Sequence, residues 1–194
     1  MDPDLRRRIE TFISPLHQDL DGVSRIGDVQ RIESIARALY RPGTAEEEHH
    51  FTLLVLFFRL DKWLGKMGSI SRAALSIGGG VTEGELRRVA ESIGNLDEPQ
   101  TRSERAVASA RIIDQAGVAG LASRLALARR EGLSPREVAA EELSSDVALP
   151  AWLTEDARRW IEARAIARRQ VCSLLLAELA LEDRPGADDP DSRL

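Results

Sequence analysis

One apolar run constrains the fold of this chain more than any other stretch. Between residues 51 and 64, inside the segment EEEHHFTLLVLFFRLDKWLGK of residues 46–66, almost every side of a helical projection is apolar. A helix in contact with water needs a polar face, so a helix that is apolar all round must be surrounded by other helices. The run therefore predicts one central helix over residues 46–66. The run is also too short to span a bilayer.

Asp61 lies near the predicted C-terminal end of this central helix. At that end a carboxylate meets the negative pole of the helix dipole and also loses water, which is unfavourable unless a cation compensates the charge. We therefore expect Asp61 to be buried and to have a positively charged partner. The identity of that partner bears directly on function.

The remainder of the chain predicts helices and no strands. Apolar side chains recur at helical spacing, and no segment shows the sustained alternation of a β-strand. Side chains typical of helix N-caps mark several starts, at Thr44, Thr82, Thr101, Ser134 and Thr154. The predicted helices cover residues 4–20, 24–40, 46–66, 71–77, 83–95, 102–115, 118–131, 135–144 and 155–181.

This pattern predicts an all-α fold with a single domain. A helical bundle of about seven to nine helices is expected over residues 1–182. The acidic tail of residues 183–194, which contains four Asp and two Pro, is predicted to be disordered.

Charge and cysteine content restrict the classes of partner. The net charge of −5 argues against a general binder of nucleic acid or of anionic membranes, because both rely on excess positive charge. The lone Cys172, within the apolar sequence VCSLLLAEL, excludes an internal disulfide and is interpreted as a small core residue. The N-terminal sequence has no apolar signal core, so a cytoplasmic protein without a membrane segment is expected.

Several segments, taken in order, resemble the HD-domain phosphohydrolase superfamily. Residues 27–32 (GDVQRI) look like the segment that carries the family's first metal-binding His. Residues 54–65 (LVLFFRLDKWLG) look like its central helix, which ends in a His-Asp doublet. Residues 106–124 resemble its later acidic stretch and Gly-rich turn, and residues 154–179 are similar to the closing helix of a bacterial branch. The resemblance implies a helical bundle of the HD-domain type.

The departures from this pattern fall on the metal ligands. Asp28 stands in place of the first His, Leu60 replaces the His of the doublet and only Asp61 remains. Ser109 and Arg111 replace the later acidic pair. A transition metal needs several converging imidazole or carboxylate ligands, so these departures from the family pattern predict no bound metal, no cofactor and no ordinary metal-dependent phosphohydrolase activity.

The histidines do not restore a metal site. His49 and His50 precede Asp61 by roughly three turns, about 16 Å along a helix, and they point in different directions. His17 is alone on the first helix. We interpret the three as surface or capping residues.

Arg111 could compensate the negative charge of Asp61 in the absence of a metal. A guanidinium is permanently charged and can bind a carboxylate through two donors, so Arg111, with Arg31, could be the counter-ion of Asp61. The alternative is that Asp61 is solvated and Arg111 lies on the surface. Trp63 could contact a ligand or simply pack. The candidate ligand-binding residues are Arg31, Lys62, Trp63, Lys66, Ser109 and Arg111.

Three functions remain open. In the first, the metal-free pocket binds a small, possibly anionic molecule or serves a regulatory or scaffold role. In the second, the protein is a biosynthetic enzyme in which Asp28 or Asp61 acts as an acid or base, while cations stabilise negative charge during an isomerisation, cyclisation or elimination. The third is metal-dependent phosphohydrolysis, for which the ligands are missing.

Two surfaces have alternative interpretations. Leu121, Leu125 and residues 149–152 could form an apolar patch for a homodimer, or they could belong to the core. The closing helix carries five arginines, which we interpret as a solvated face, with an anion-binding patch as the alternative. They are Arg158, Arg159, Arg164, Arg168 and Arg169.

Overall fold

The computed structural model describes residues 1–21, 26–145 and 148–182. Over these ranges the chain forms ten helices and no strand, which confirms the all-α fold class. Within the described part, no helix combines the length and the apolar character that crossing a membrane requires. The helices are α1 (Pro3–Asp21), α2 (Ile26–Leu39), α3 (Ala45–Phe57), α4 (Asp61–Leu64), α5 (Ser69–Ile77), α6 (Glu83–Gly94), α7 (Arg102–Ala116), α8 (Val118–Arg130), α9 (Pro135–Ser144) and α10 (Glu155–Glu182).

The helix α3 lies at the centre of the main core, as the apolar run predicts. Leu53, Leu54 and Val55, which as consecutive residues point in different directions around the helix, are all fully buried. The neighbours that contact α3 are α1, α2, α6 and α7. A helix with apolar side chains on every face is therefore enclosed by other helices.

The prediction of one continuous helix over residues 46–66 is wrong. The helix α3 ends at Phe57, a tight turn follows in which the Leu60 amide donates to the Phe57 carbonyl at 2.7 Å, and α4 begins at Asp61. The turn keeps Phe58 and Leu60 in the core. Because the run is apolar on all sides and contains no Gly or Pro, its periodicity carries no signal of the break. The break adds the tenth helix.

Asp61 is consequently not the buried carboxylate that the sequence predicts. It lies in the first turn of α4, and it is exposed to solvent. Water solvates an exposed carboxylate, so Asp61 does not require a buried cationic partner.

The predicted caps are confirmed. The side-chain hydroxyls of Thr82, Thr101 and Ser134 each accept a hydrogen bond from the amide three residues later. In each case the carboxylate of the Glu at that position accepts a hydrogen bond from the backbone amide of the cap residue. Thr44 caps α3 in the same way, and the Ala157 amide donates to the Thr154 hydroxyl at the start of α10.

A network of charged side chains around the buried Glu33 connects the first three helices. Glu33 of α2, which is 6% exposed, accepts hydrogen bonds from Arg6 of α1 and from Arg37. Arg37 also donates to Glu48 of α3. Burial alone would raise the pKa of Glu33, but the hydrogen bonds from the two arginines outweigh it and hold that pKa below its ordinary value of 4.5.

Two hydrophobic clusters form the interior. The larger surrounds α3 and includes Ile161 from the first half of α10. The smaller joins α8, α9 and the second half of α10, and its buried members are Leu121, Ala128, Val138, Ala139 and Cys172. Cys172 is a buried core residue, as predicted. The predicted disordered tail of residues 183–194 lies outside the described residues.

Candidate functional site

A large cleft lies between the two hydrophobic clusters. Its volume is about 1190 Å³, and its walls come from α2, the turn between α3 and α4, α6, α7, α8, the end of α9 and α10. The part of the wall nearest the main core includes Ile32 and Phe58, and Leu127 contributes from α8. A cavity of this size with a partly apolar wall is typical of a small-molecule site.

Charged side chains line this cleft in equal numbers of either sign. The arginines are Arg31, Arg59, Arg111, Arg124, Arg168 and Arg169. The acids are Asp28, Asp61, Asp97, Asp114, Glu142 and Glu162. Because the formal charges balance, the ability of the cleft to take a charged ligand depends on how firmly each ion pair is held.

The pair of Arg31 and Asp114 is firmly held. Arg31 donates from Nε to Asp114 Oδ1 at 2.5 Å and from Nη2 to Oδ2 at 3.0 Å, and Nη2 also reaches Asp28 Oδ1 at 3.0 Å. The Asp114 side chain is only 9% exposed. These bonds, above all that to Asp114, raise the pKa of the Arg31 guanidinium further. The pair joins α2 to α7, so its main role is structural.

Arg168 is also fixed in place. Its Nη1 donates to the Gln115 carbonyl at 2.5 Å, and its Nη2 pairs with Glu142, whose side chain is 17% exposed. Its Nε is buried and has no hydrogen-bond partner among the described residues. Arg168 thus ties α10 to the end of α7 and to α9.

Arg111 is held differently. Its Nη2 donates to Asp97 Oδ1 at 2.7 Å, but the Asp97 side chain is 87% exposed. The proposed pairing of Arg111 with Asp61 is therefore wrong, because Arg111 has a nearer carboxylate in the loop after α6. Exposed ion pairs contribute about 0–1 kcal/mol, so a bound anion could replace Asp97 at little cost.

The structure brings together half of the residues predicted for the site. Asp28, Arg31, Asp61 and Arg111 all line the cleft. The other four predicted ligand contacts are absent from the lining described for the cleft. They are Lys62, Trp63, Lys66 and Ser109.

Packing explains two of these exclusions. Trp63 stacks edge-to-face on Phe12 of α1, with 5.6 Å between ring centroids, so its interpretation as a packing residue is the correct one. Ser109 is 4% exposed, inside the main core. Lys62 and Lys66 are exposed, on α4 and just after it, where the break after α3 has redirected the chain.

Sequence reasoning missed several cleft residues, above all Asp114. A signal for Asp114 existed, since it follows Val107 by seven residues and Ala110 by four, and both of these are fully buried. An acid on the buried face of α7 needs a buried cation. By contrast, Asp97, Arg124 and Arg168 reach the cleft only through tertiary packing.

The donor groups do not fit a metal ion. Within residues 1–21, 26–145 and 148–182, no group of three His, Cys, Asp or Glu side chains converges in a way that could hold one. The expectation of surface histidines is wrong for His17, which is fully buried with Nε2 3.3 Å from the Leu56 carbonyl oxygen. His49 Nε2 lies 3.3 Å from Glu85 Oε1, and His50 Nε2 lies 3.3 Å from the Ser92 hydroxyl.

Most of the apolar patch suggested for a homodimer packs against the two clusters, although Ala151 is exposed. Leu121 is 1% exposed, and Leu125 packs against the smaller cluster. Leu149 and Trp152 pack against the larger cluster, and the Trp152 indole donates to the Asp97 carbonyl at 3.1 Å. The alternative interpretation as core is therefore confirmed for Leu121, and the homodimer stays a prediction.

Comparison with known proteins identifies no relative of this chain. No protein-family model, no curated protein and no solved structure matches this chain. The resemblance to HD-domain phosphohydrolases therefore stays a prediction from the sequence.

Proposed function

We propose that this protein binds a small anionic molecule in the cleft, with Arg111 as the cation that receives it. The observation that carries the proposal is the pairing of Arg111 with the exposed Asp97. In this pairing only Nη2 of Arg111 donates, and no hydrogen bond is described for Nη1 or Nε. A carboxylate or phosphate could take the place of Asp97 and accept two donors at once.

The buried acids of the cleft do not oppose such a ligand. Asp114 is neutralised by Arg31, and Glu142 is neutralised by Arg168. Arg31 also directs Nη1 to no acceptor among the described residues, and its side chain is 37% exposed. Because Arg31 lines the same cleft as Arg111, it can offer this donor to a ligand bound there.

Titration with a panel of small anions tests the proposal. Phosphate, pyrophosphate, citrate and hexanoate are added to the protein, with choline and glucose as cationic and neutral controls, and binding is followed by calorimetry. We expect at least one anion, and neither control, to bind. Arg111→Gln should weaken that binding about 10-fold or more, since a hydrogen bond to a charged group contributes about 1.5–3 kcal/mol.

A matched control variant separates a local effect from a change in overall charge. Arg87 of α6 is 67% exposed, pairs loosely with Glu83 at 3.7 Å and lies outside the lining described for the cleft. Arg87→Gln changes the net charge as Arg111→Gln does, and it should leave binding unchanged. Equal losses in the two variants, or no binding by any anion of the panel, would contradict the proposal.

A catalytic role is the second candidate, and one observation favours it. Asp28 and Asp61 line the same cleft, and Asp28 Oδ2 lies 4.0 Å from Arg59 Nη1. An acid or base beside a bound anion could act in an isomerisation, cyclisation or elimination. Once a ligand is known, its conversion to a product that Asp28→Asn abolishes without loss of binding would establish the enzyme. Retention of the ligand unchanged would establish the binding protein.

A further inference from the structure

The cleft has a second group of arginines on the side of the smaller hydrophobic cluster. Arg124 comes from α8, and Arg168 and Arg169 come from α10. The first group, on the side of the main core, consists of Arg31, Arg59 and Arg111. A single anion bound by Arg111 would contact arginines of the first group only.

Arg124 is held in the same loose way as Arg111. Its Nη2 lies 3.1 Å from Glu141 Oε2, and its Nη1 lies 3.7 Å from Glu131 Oε2. Both carboxylates are more than half exposed, at 59% and 58%. Since such pairs are weak, Arg124 can exchange these acids for an anion of a ligand.

The two arginines are within reach of one small molecule. They lie on consecutive helices, α7 and α8, which are joined at Gly117. From the helical rise and the short link, their Cα atoms cannot be more than about 24 Å apart, and both residues line the same cleft. Apolar residues occupy other parts of the same lining. They include Ile32, Ile93, Leu96, Leu127, Leu149 and Ile161.

The size of the cleft also exceeds what a single oxyanion can fill. Its volume of about 1190 Å³ lies just above the range of about 300–1000 Å³ that is typical of small-molecule sites. We infer that the ligand is an elongated molecule with two anionic oxygen groups, one bound by Arg111 and the other by Arg124, and an apolar body between them. This inference rests on the proposed function and extends it to the chemical class of the ligand.

A series of dicarboxylates tests the inference. The linear diacids from succinate to sebacate are compared, by calorimetry, with the monoacids of the same chain length from butyrate to decanoate. We expect one diacid length to bind at least about tenfold more tightly than its monoacid, because the second anion binds without a further loss of translational freedom. Circular dichroism checks that every variant is folded.

Two substitutions assign the ends of the diacid. Arg124→Gln should reduce the affinity of the best diacid to that of its monoacid and leave binding of the monoacid at Arg111 in place. Arg111→Gln should weaken both compounds, and Arg87→Gln should change neither. If diacid and monoacid bind equally, or if Arg124→Gln leaves the diacid affinity unchanged, the inference is overturned while the proposed function stands. If neither compound binds at any length, the inference is overturned, and the proposed function is overturned with it only when phosphate, pyrophosphate and citrate also fail to bind.

Discussion

Replacing Asp114 with asparagine removes one charge from the buried ion pair that joins α2 to α7. The wild-type carboxylate receives two hydrogen bonds from Arg31, at 2.5 and 3.0 Å, and its side chain is 9% exposed. Breaking a buried pair by removing one partner typically costs about 3–5 kcal/mol. Arg31 is 37% exposed and keeps its bond to Asp28, so we discount this figure to about 2 kcal/mol.

Thermal and urea unfolding measure this loss. For a chain of this length, about 2 kcal/mol corresponds to a fall of about 4–8 °C in Tm. The control is Asp97→Asn, which removes the same charge from an exposed pair on the same cleft and should cost less than about 1 kcal/mol. If Asp114→Asn destabilises the protein no more than Asp97→Asn does, the distinction between firmly and loosely held arginines is wrong.

Three further predictions concern the scaffold. The pKa of Glu33 is lowered in the folded state, so its stabilising charge is present above pH 4.5 and is lost as the pH falls through the folded-state value. Glu33→Gln should therefore flatten the decline, with falling pH, of the unfolding free energy measured in urea. An unchanged decline would count against this. Thr101→Ala removes the capping box of α7 and should cost about 1 kcal/mol in a thermal melt, whereas an unaltered Tm would refute it. Burial raises the pKa of the Cys172 thiol, so an aromatic disulfide reagent should modify it far faster in urea than in the native protein, and equal rates would show that it is accessible.

The general architecture could be predicted from local chemistry. The hydroxyl of Thr82 and the carboxylate of Glu85 define a helix start through bonds within one turn, and the structure contains both bonds. The apolar run at residues 51–57 could be assigned to the centre because only a surrounded helix can be apolar on every face. These signals are short-ranged, so a single sequence is enough to detect them.

The break after Phe57 and the partners of the arginines could not be predicted in this way. A uniformly apolar segment has the same periodicity whether it is one helix or two, so Asp61 was placed at the wrong end of a helix. The choice of Asp97 by Arg111 depends on where the loop after α6 lies. Tertiary packing determines such long-range pairs, and no fixed spacing in the sequence marks them.

The four predicted residues that line the cleft differ in this respect from the four predicted residues that lie outside its lining. Asp28 and Arg31 lie one turn apart on α2, and α2 packs along α7, which carries Arg111. Lys62 and Lys66 depended on a continuous central helix, so the break moved them away. The predicted membership of that superfamily is compatible with an all-helical chain, but an all-helical chain alone does not identify it.

The most direct measurement of the central claim is a crystal structure of the protein with the most tightly bound anion of the titration panel. The account predicts that the anion lies in the cleft with its oxygens at hydrogen-bond distance from the Arg111 guanidinium, and that Asp97 no longer contacts this guanidinium. An anion bound elsewhere, with Arg111 still paired to Asp97, would contradict it.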